Sequence, residues 1–254
     1  MKKDERALFE SLRDLGPYFI GEGEEVVRSL FKSQIEVVSL LMEEHYFEKI
    51  TIPAHVKVQL ATRAELQKIT GYDMHQGIMA LGVKPSNVPL EEMQGAAVVL
   101  NGLANAENVG AVVRNAVAFG IRHLIVDQST SPPYLRRSIK VSRGALFQMK
   151  VHITSNLPTL LKGQNAIATY LSDETPSLEQ LVIPENPYFV FGREGTGIDK
   201  DVLESCSLRV KIPIDPIIDS LNVAVASGII LYAHQMIGSK QRGQTTPAEK
   251  RKEK

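Results

Sequence analysis

AAVVLNGLANAENVGAVVRNAVAFGIRHLIVD, residues 96–127, decides the fold. AAVVL is apolar at every position. NVGAVVRNAVAFG has apolar residues at helical spacing and closes on Gly120, and RHLIVD holds a second, shorter apolar run at Leu124–Val126. Neither apolar run alternates, so both predict strands buried on two faces, as parallel strands are when helices cover both sides of a sheet. Outward from this unit the pattern repeats. PPYLRRSIKVS predicts a helix; MKVHIT, AIATYL, YFVFG and LRVKIPI predict further short strands; SLNVAVASGIILYAHQMI predicts a long final helix. Residues 96–237 are therefore expected to form an α/β domain on a parallel sheet.

Upstream, the pattern is smaller in scale. GEGEEVVRSLFKS is helical in spacing, IEVVSLLM and VKVQLA are strand-like, and HQGIMALGV closes the segment as a strand. TRAELQKITG predicts a helix opened by Thr62, with Glu65 completing a capping box and Gly71 just past the end. Residues 1–84 are expected to be a separate small α/β domain. Residues 85–95, PSNVPLEEMQG, carry two prolines and no hydrophobic period and are expected to be a linker. Residues 238–254 hold six basic and two acidic side chains with almost no apolar content, the composition of a disordered basic tail.

A length of 254 residues, 43% of them hydrophobic and 23% charged, suits one or two globular domains with their own cores. The single Cys206 excludes an intramolecular disulfide framework and a zinc knuckle, so no metal is expected. There is no secretory signal pattern, and no apolar run approaches ~18 residues. A cytoplasmic setting without a membrane is the expectation. Charge is balanced at 29 basic and 29 acidic residues, but Arg136, Arg137, Lys140, Arg143 and Lys150 fall in twenty residues that contain no acid. Such a segment suits a phosphate backbone; a solvated helix face reads equally well from composition.

Three segments could carry chemistry. In the first, Asn108 and Gly110 stand in the first turn of a helix that follows an apolar strand, where unsatisfied N–H groups favour an anion or polar ligand. Arg114 lies one turn beyond Gly110. The same spacing also fits an N-cap followed by a surface arginine. The second is GREGTG, residues 192–197, whose three glycines let the backbone approach a ligand. It is neither a dinucleotide fingerprint nor a Walker loop, and Glu194 within it could bind a ligand or cap a helix. In the third, IPIDPIIDSLNV, a strand ends at Pro213, and Ser220 and Asn222 open the last helix. Serine there is commonly a cap, and none of the six histidines stands in a triad context.

Together, in this order, the segments resemble the three signature motifs of the SpoU (TrmH-type) RNA 2'-O-ribose methyltransferases of the SPOUT superfamily. The matching residues are Asn108, Gly110 and Arg114; Gly192, Glu194, Gly195 and Gly197; and Ile212, Pro213, Ser220, Leu221, Asn222 and Val223. Ser142–Ala145 and His75–Gly77 resemble further family segments. The chain departs from the pattern at Ala104–Ala106, Ile214 and Pro216.

The resemblance implies a trefoil knot in the C-terminal domain, an exception to the rule that connections do not thread loops. It implies S-adenosylmethionine as cofactor, held near Leu171, Gly192, Gly195, Gly197, Ile212 and Leu221. It implies an rRNA or tRNA substrate met first by the N-terminal domain, and a homodimer formed through the knot. Arg114 would be catalytic, with Asn108, Glu194, Ser220 and Asn222 orienting the ribose, the phosphate and Arg114. Arg136, Arg137, Lys140 and Arg143 would line the RNA path. The competing reading is a non-catalytic RNA-binding or ribosome-assembly factor that kept the knot. A doubly wound nucleotide-binding enzyme would need a phosphate loop that this chain lacks.

Overall fold

The computed structural model describes residues 3–10, 14–72 and 76–241, with side chains described from residue 7 to residue 236 of these. It divides into two compact units. One comprises Met1–Ser86, Val109–Arg114 and Pro132–Gln148; the other comprises Asn87–Asn108, Asn115–Ser131 and Met149–Lys254.

In the first unit, α1 (Lys3–Glu10) precedes β1 (Tyr18–Glu22), α2 (Glu24–Phe31), β2 (Val37–Met42), β3 (Lys57–Leu60), α3 (Arg63–Thr70) and β4 (Ile78–Val83). The four strands form one sheet in the order β1-β4-β2-β3, parallel only between β2 and β3. The capping box is present. Thr62 accepts from the Glu65 N–H while Glu65 reaches back to the Thr62 N–H, and Gly71 takes the left-handed conformation at the other end of α3. Phe9, Ile20, Leu41, Leu66 and Met79 form the core beneath these elements. Two elements were not expected. β1 lies almost wholly before GEGEEVVRSLFKS, sharing only Gly21 and Glu22 with it, and Gly23 at φ 98° separates it from α2; α1 precedes it. Gln76 caps α2 from a distance, accepting from the Glu24 N–H at 2.8 Å. His75, beside it in the family-like segment, lies outside the described residues.

The second sheet is built from β5 (Ala97–Leu100), β6 (His123–Asp127), β7 (Lys150–Thr154), β8 (Ala166–Thr169), β9 (Tyr188–Phe191) and β10 (Leu208–Val210). Between them run α4 (Ala106–Ala118), α5 (Arg136–Ser142), α6 (Leu157–Leu161) and α7 (Lys200–Ser205), and α8 (Val223–Gln241) follows. The strand order is β10-β8-β9-β5-β6-β7, and every pairing is parallel. Val99 lies opposite Ile125 on one side and Val190 on the other, and all three are inaccessible to solvent. That explains why the strands read as unbroken apolar runs. From β5 the order grows outward through β6 and β7 on one side and through β9, β8 and β10 on the other. This is the switch point beside which open α/β sheets form their ligand crevice. The four residues 238–241, expected in a tail, extend α8 instead; residues 242–254 lie outside the described part. Among the described residues no helix is long and apolar enough to cross a membrane.

Candidate active site

Asn105, not Asn108, caps α4, accepting from the Glu107 N–H at 2.8 Å. Asn108 is thereby released from capping. Its buried Nδ2 donates to Glu194 Oε1 at 2.8 Å. Asn222 performs two tasks. Its Oδ1 accepts from the Ala224 N–H at 2.8 Å, the contact of an N-cap on α8. Its Nδ2 donates to the same Glu194 oxygen at 2.8 Å and to Asn108 Oδ1 at 3.3 Å. Three residues expected from three separate motifs therefore meet in one hydrogen-bonded cluster. Ser220 is exposed and makes no hydrogen bond among the described residues, so its hydroxyl is available to a ligand.

Beside the cluster lies a cavity of about 530 Å³, framed by the ends of β8, β9 and β10 and by the start of α8. Leu171, Gly192, Gly195, Gly197, Ile212 and Leu221, the residues expected at the cofactor, all line it, as do Glu194 and Ser220. Gly192 is required by close approach: a Cβ there would lie 2.3 Å from the Gly197 carbonyl carbon. The 192–197 loop folds back on itself through two backbone bonds, Arg193 N–H to Gly197 O at 2.9 Å and Gly197 N–H to Arg193 O at 3.0 Å. Mostly apolar walls, exposed loop main chain, and the carboxylates of Glu194 and Asp219 make a donor set that fits S-adenosylmethionine. The walls suit its adenine, the main chain its polar edges, and the carboxylates its cationic end.

The other expected residues fall differently. Arg114 is exposed on α4 and forms no hydrogen bond or ion pair among the described residues. Gly110 serves packing rather than a ligand, because a Cβ there would lie 2.5 Å from the Ser138 carbonyl of α5. The basic segment needs correction. Arg136 is buried: Nε pairs with Glu22 at 3.0 Å, Nη1 donates to the Phe9 carbonyl at 3.1 Å, and the guanidinium faces the Tyr72 ring. Lys140 reaches the same Glu22 at 3.1 Å, and Arg143 pairs with Glu25. The acids that the local sequence lacks are supplied by β1 and α2, more than a hundred residues earlier. Arg136 is thus a structural cation; Arg137 is exposed on the outer face of α5. Burial alone would push the Glu22 carboxyl up, but the Tyr72 hydroxyl and the Arg136 and Lys140 charges hold it below the usual range.

Sequence reasoning missed a second polar cluster at the strand ends. Asn101, directly after β5, donates Nδ2 to Asp127 at 2.8 Å and to Asp199 at 2.9 Å, and accepts from the Asp199 N–H at 2.7 Å. Asn115, two turns after Asn108 on α4, donates to the Ala224 carbonyl at 2.7 Å and to Ser227 at 3.0 Å. Asn101 and Asp127 each stand at the C-terminal end of an apolar strand, and that position was the available signal. Among the described residues no group of three acidic, histidine or cysteine side chains gathers as a metal site.

A sequence model of the SpoU rRNA methylase family matches residues 95–232. This chain belongs to that family. The substrate-binding model of RNA 2'-O ribose methyltransferases matches residues 22–88. The 23S rRNA (guanosine-2'-O-)-methyltransferase RlmB of Acinetobacter baylyi is 30% identical over 71% of this chain and 78% of its own length. The 23S rRNA (guanosine(2553)-2'-O)-methyltransferase RlmP of Bacillus subtilis is 26% identical over 84% of this chain and 87% of its own length. An AdoMet-bound rRNA methyltransferase from Sinorhizobium meliloti superposes with a TM-score of 0.79, covering 92% of this chain and 93% of its own, at 21% identity. The fold of this SpoU family member is therefore the knotted α/β fold that its three motifs implied.

Proposed function

We propose that this chain is an S-adenosylmethionine-dependent methyltransferase that modifies a ribose 2'-hydroxyl of RNA. The observation that carries the proposal is the Asn108–Glu194–Asn222 cluster at the edge of a cavity lined by all six expected cofactor residues. Its named relatives act on 23S rRNA, which favours rRNA over tRNA as the substrate. The bound cofactor supplies an already activated methyl group, so the protein's task is to align the ribose oxygen and help it lose a proton.

The chain's own residues suit that task. Glu194 fixes both amides; Asn222 spends both Nδ2 hydrogens on Glu194 and Asn108, which leaves the second Nδ2 hydrogen of Asn108 in one orientation to meet a hydroxyl or phosphate oxygen. Ser220 adds a hydroxyl at the cavity wall. Arg114 offers a planar guanidinium fork, a good bidentate grip for the adjacent phosphate and for charge developing on the 2'-oxygen. The cluster gives a non-catalytic assembly factor no evident use for this arrangement.

Residues 1–84 would present the RNA to the catalytic domain at 96–237, across a linker at 85–95. A second copy would cover the apolar residues exposed around the knot, among them Ile217 at 88%, Tyr232 at 53% and Val225 at 52% exposure. Light scattering should then give twice the chain mass. A cytoplasmic setting suits an RNA substrate and a free Cys206, whose thiol is pushed up to about 11 by burial.

The decisive experiment uses purified protein, labelled S-adenosylmethionine and RNA from cells lacking the gene. A 2'-O-methyl group leaves no hydroxyl to attack the neighbouring phosphate, so label should appear in alkali-resistant dinucleotides. Label confined to alkali-sensitive mononucleotides with a modified base would defeat the ribose assignment.

A further inference from the structure

Arg193 lies within the glycine-rich loop and lines the cavity, where a free cation would be a natural partner for RNA phosphate. Its side chain is otherwise engaged. Nη1 and Nη2 grip both oxygens of Asp199, the second at 3.1 Å, and Nη2 also reaches Ser129 at 3.4 Å. The guanidinium lies across Gly102, where a Cβ would come within 2.2 Å of its Nε, so only glycine admits it. Asp199 is held from its other side by Asn101, which also holds Asp127. A ring of side chains thus joins the ends of β5, β6 and β9.

We propose that Arg193 is a positioning residue, a latch closed on Asp199 that fixes the loop carrying Glu194 and lining the cofactor cavity, and not a contact for RNA. The proposal deepens the methyltransferase reading and rests on it for the cofactor. Arg193 and Glu194 are adjacent, so holding the first on one side of the loop turns the second toward Asn108 and Asn222 on the other. Two backbone bonds between Arg193 and Gly197 pass the restraint around the loop. A half-exposed ion pair contributes little by itself; here the pair is bidentate and its carboxylate is fixed by a buried amide. The hydrogen bond from Arg193 holds the Asp199 carboxyl below its usual range, so the latch is charged on both sides at neutral pH.

Asp199→Asn tests the latch with an isosteric change, because its amide turns an N–H toward the donors of Arg193 or Asn101. Arg193→Gln removes the charge, and Arg193→Lys keeps the charge without the fork. In protein without cofactor, amides of residues 193–197 should exchange hydrogen at least ~10-fold faster in all three variants. S-adenosylmethionine should bind ~10-fold more weakly to each, and Asp199→Asn combined with Arg193→Gln should be no weaker than either alone, the signature of one shared interaction. The salt dependence of RNA binding should match wild type in Arg193→Gln. Additive losses, full rescue by Arg193→Lys, or wild-type exchange in Asp199→Asn would overturn the latch. So would an RNA salt slope about one unit shallower in Arg193→Gln, which would make Arg193 a phosphate contact. If wild type failed to bind S-adenosylmethionine, the methyltransferase reading would fall, and the exchange data would still decide the latch.

Discussion

Asn222 and Glu194 meet through a 2.8 Å hydrogen bond that joins the glycine-rich loop after β9 to the first turn of α8. Because Asn222 also caps that helix, its two jobs can be separated. Asn222→Ala should lose both, costing about 1 kcal/mol of stability and about 10²-fold in kcat. Asn222→Ser keeps a capping oxygen but cannot reach Glu194. Its thermal midpoint should return toward wild type while kcat stays low. Recovery of kcat together with stability would reduce Asn222 to a cap.

Arg114 is exposed and uncommitted to any hydrogen bond or ion pair among the described residues, as a residue awaiting substrate would be. Arg114→Ala should therefore leave folding and S-adenosylmethionine affinity close to wild type while kcat collapses. Arg114→Lys should rescue poorly, since it restores charge without the planar fork. Calorimetric cofactor binding and single-turnover methyl transfer measure the two effects separately. Near wild-type turnover in the alanine variant would remove Arg114 from the mechanism.

The basic segment divides into two behaviours. Arg136→Ala removes one of the two cations on the buried Glu22 carboxylate and leaves Lys140 and Tyr72 on it, so it should cost about 1–3 kcal/mol in chemical denaturation. Arg137 is exposed on α5, where RNA could reach it. If it touches RNA, the log–log salt slope of binding should become shallower by roughly one unit in Arg137→Ala. An unchanged slope would return Arg137 to a solvated face.

Glu22 and Tyr72 make the first unit sensitive to pH from both sides. Glu22 has a depressed folded value. Its stabilisation is present above the ordinary 4.5 and is lost as acid takes the pH down through the folded value. Tyr72 is raised from 10.0 to about 12, first by burial and then by its hydrogen bond to Glu22. That contribution is complete below pH 10 and is lost as the pH climbs towards 12. Tyr72→Phe should be less stable than wild type by about 1–2 kcal/mol at pH 7, with the gap closing between pH 10 and 12. Thermal melts of both proteins across that range check the sign.

Much of this protein is legible along the chain, because the signals involved are local. The capping box of α3 needs only Thr62 and Glu65, three residues apart. The apolar runs at residues 97–100, 124–126 and 188–191 announce parallel strands because burial on two faces leaves no polar position to alternate. The three motifs are likewise legible, since each sits on one strand–loop–helix junction, and together they supplied five of the six expected cofactor residues; the sixth, Leu171, follows β8. Partnership is what local sequence does not carry. The segment around Arg136 looked like an open cationic path because its acids, Glu22 and Glu25, lie on β1 and α2. Gly110 looked like a ligand glycine until α5 was seen packed against it. Asn101, Asp199 and Arg193 are unremarkable one by one and form a latch only where parallel pairing brings three strand ends side by side. Sequence by itself determined which residues face inward and which junctions are chemical, because spacing and polarity are properties of short stretches. Only the tertiary structure decided which charges are already paired, because a charge is free or spent according to neighbours that the chain brings from a hundred residues away.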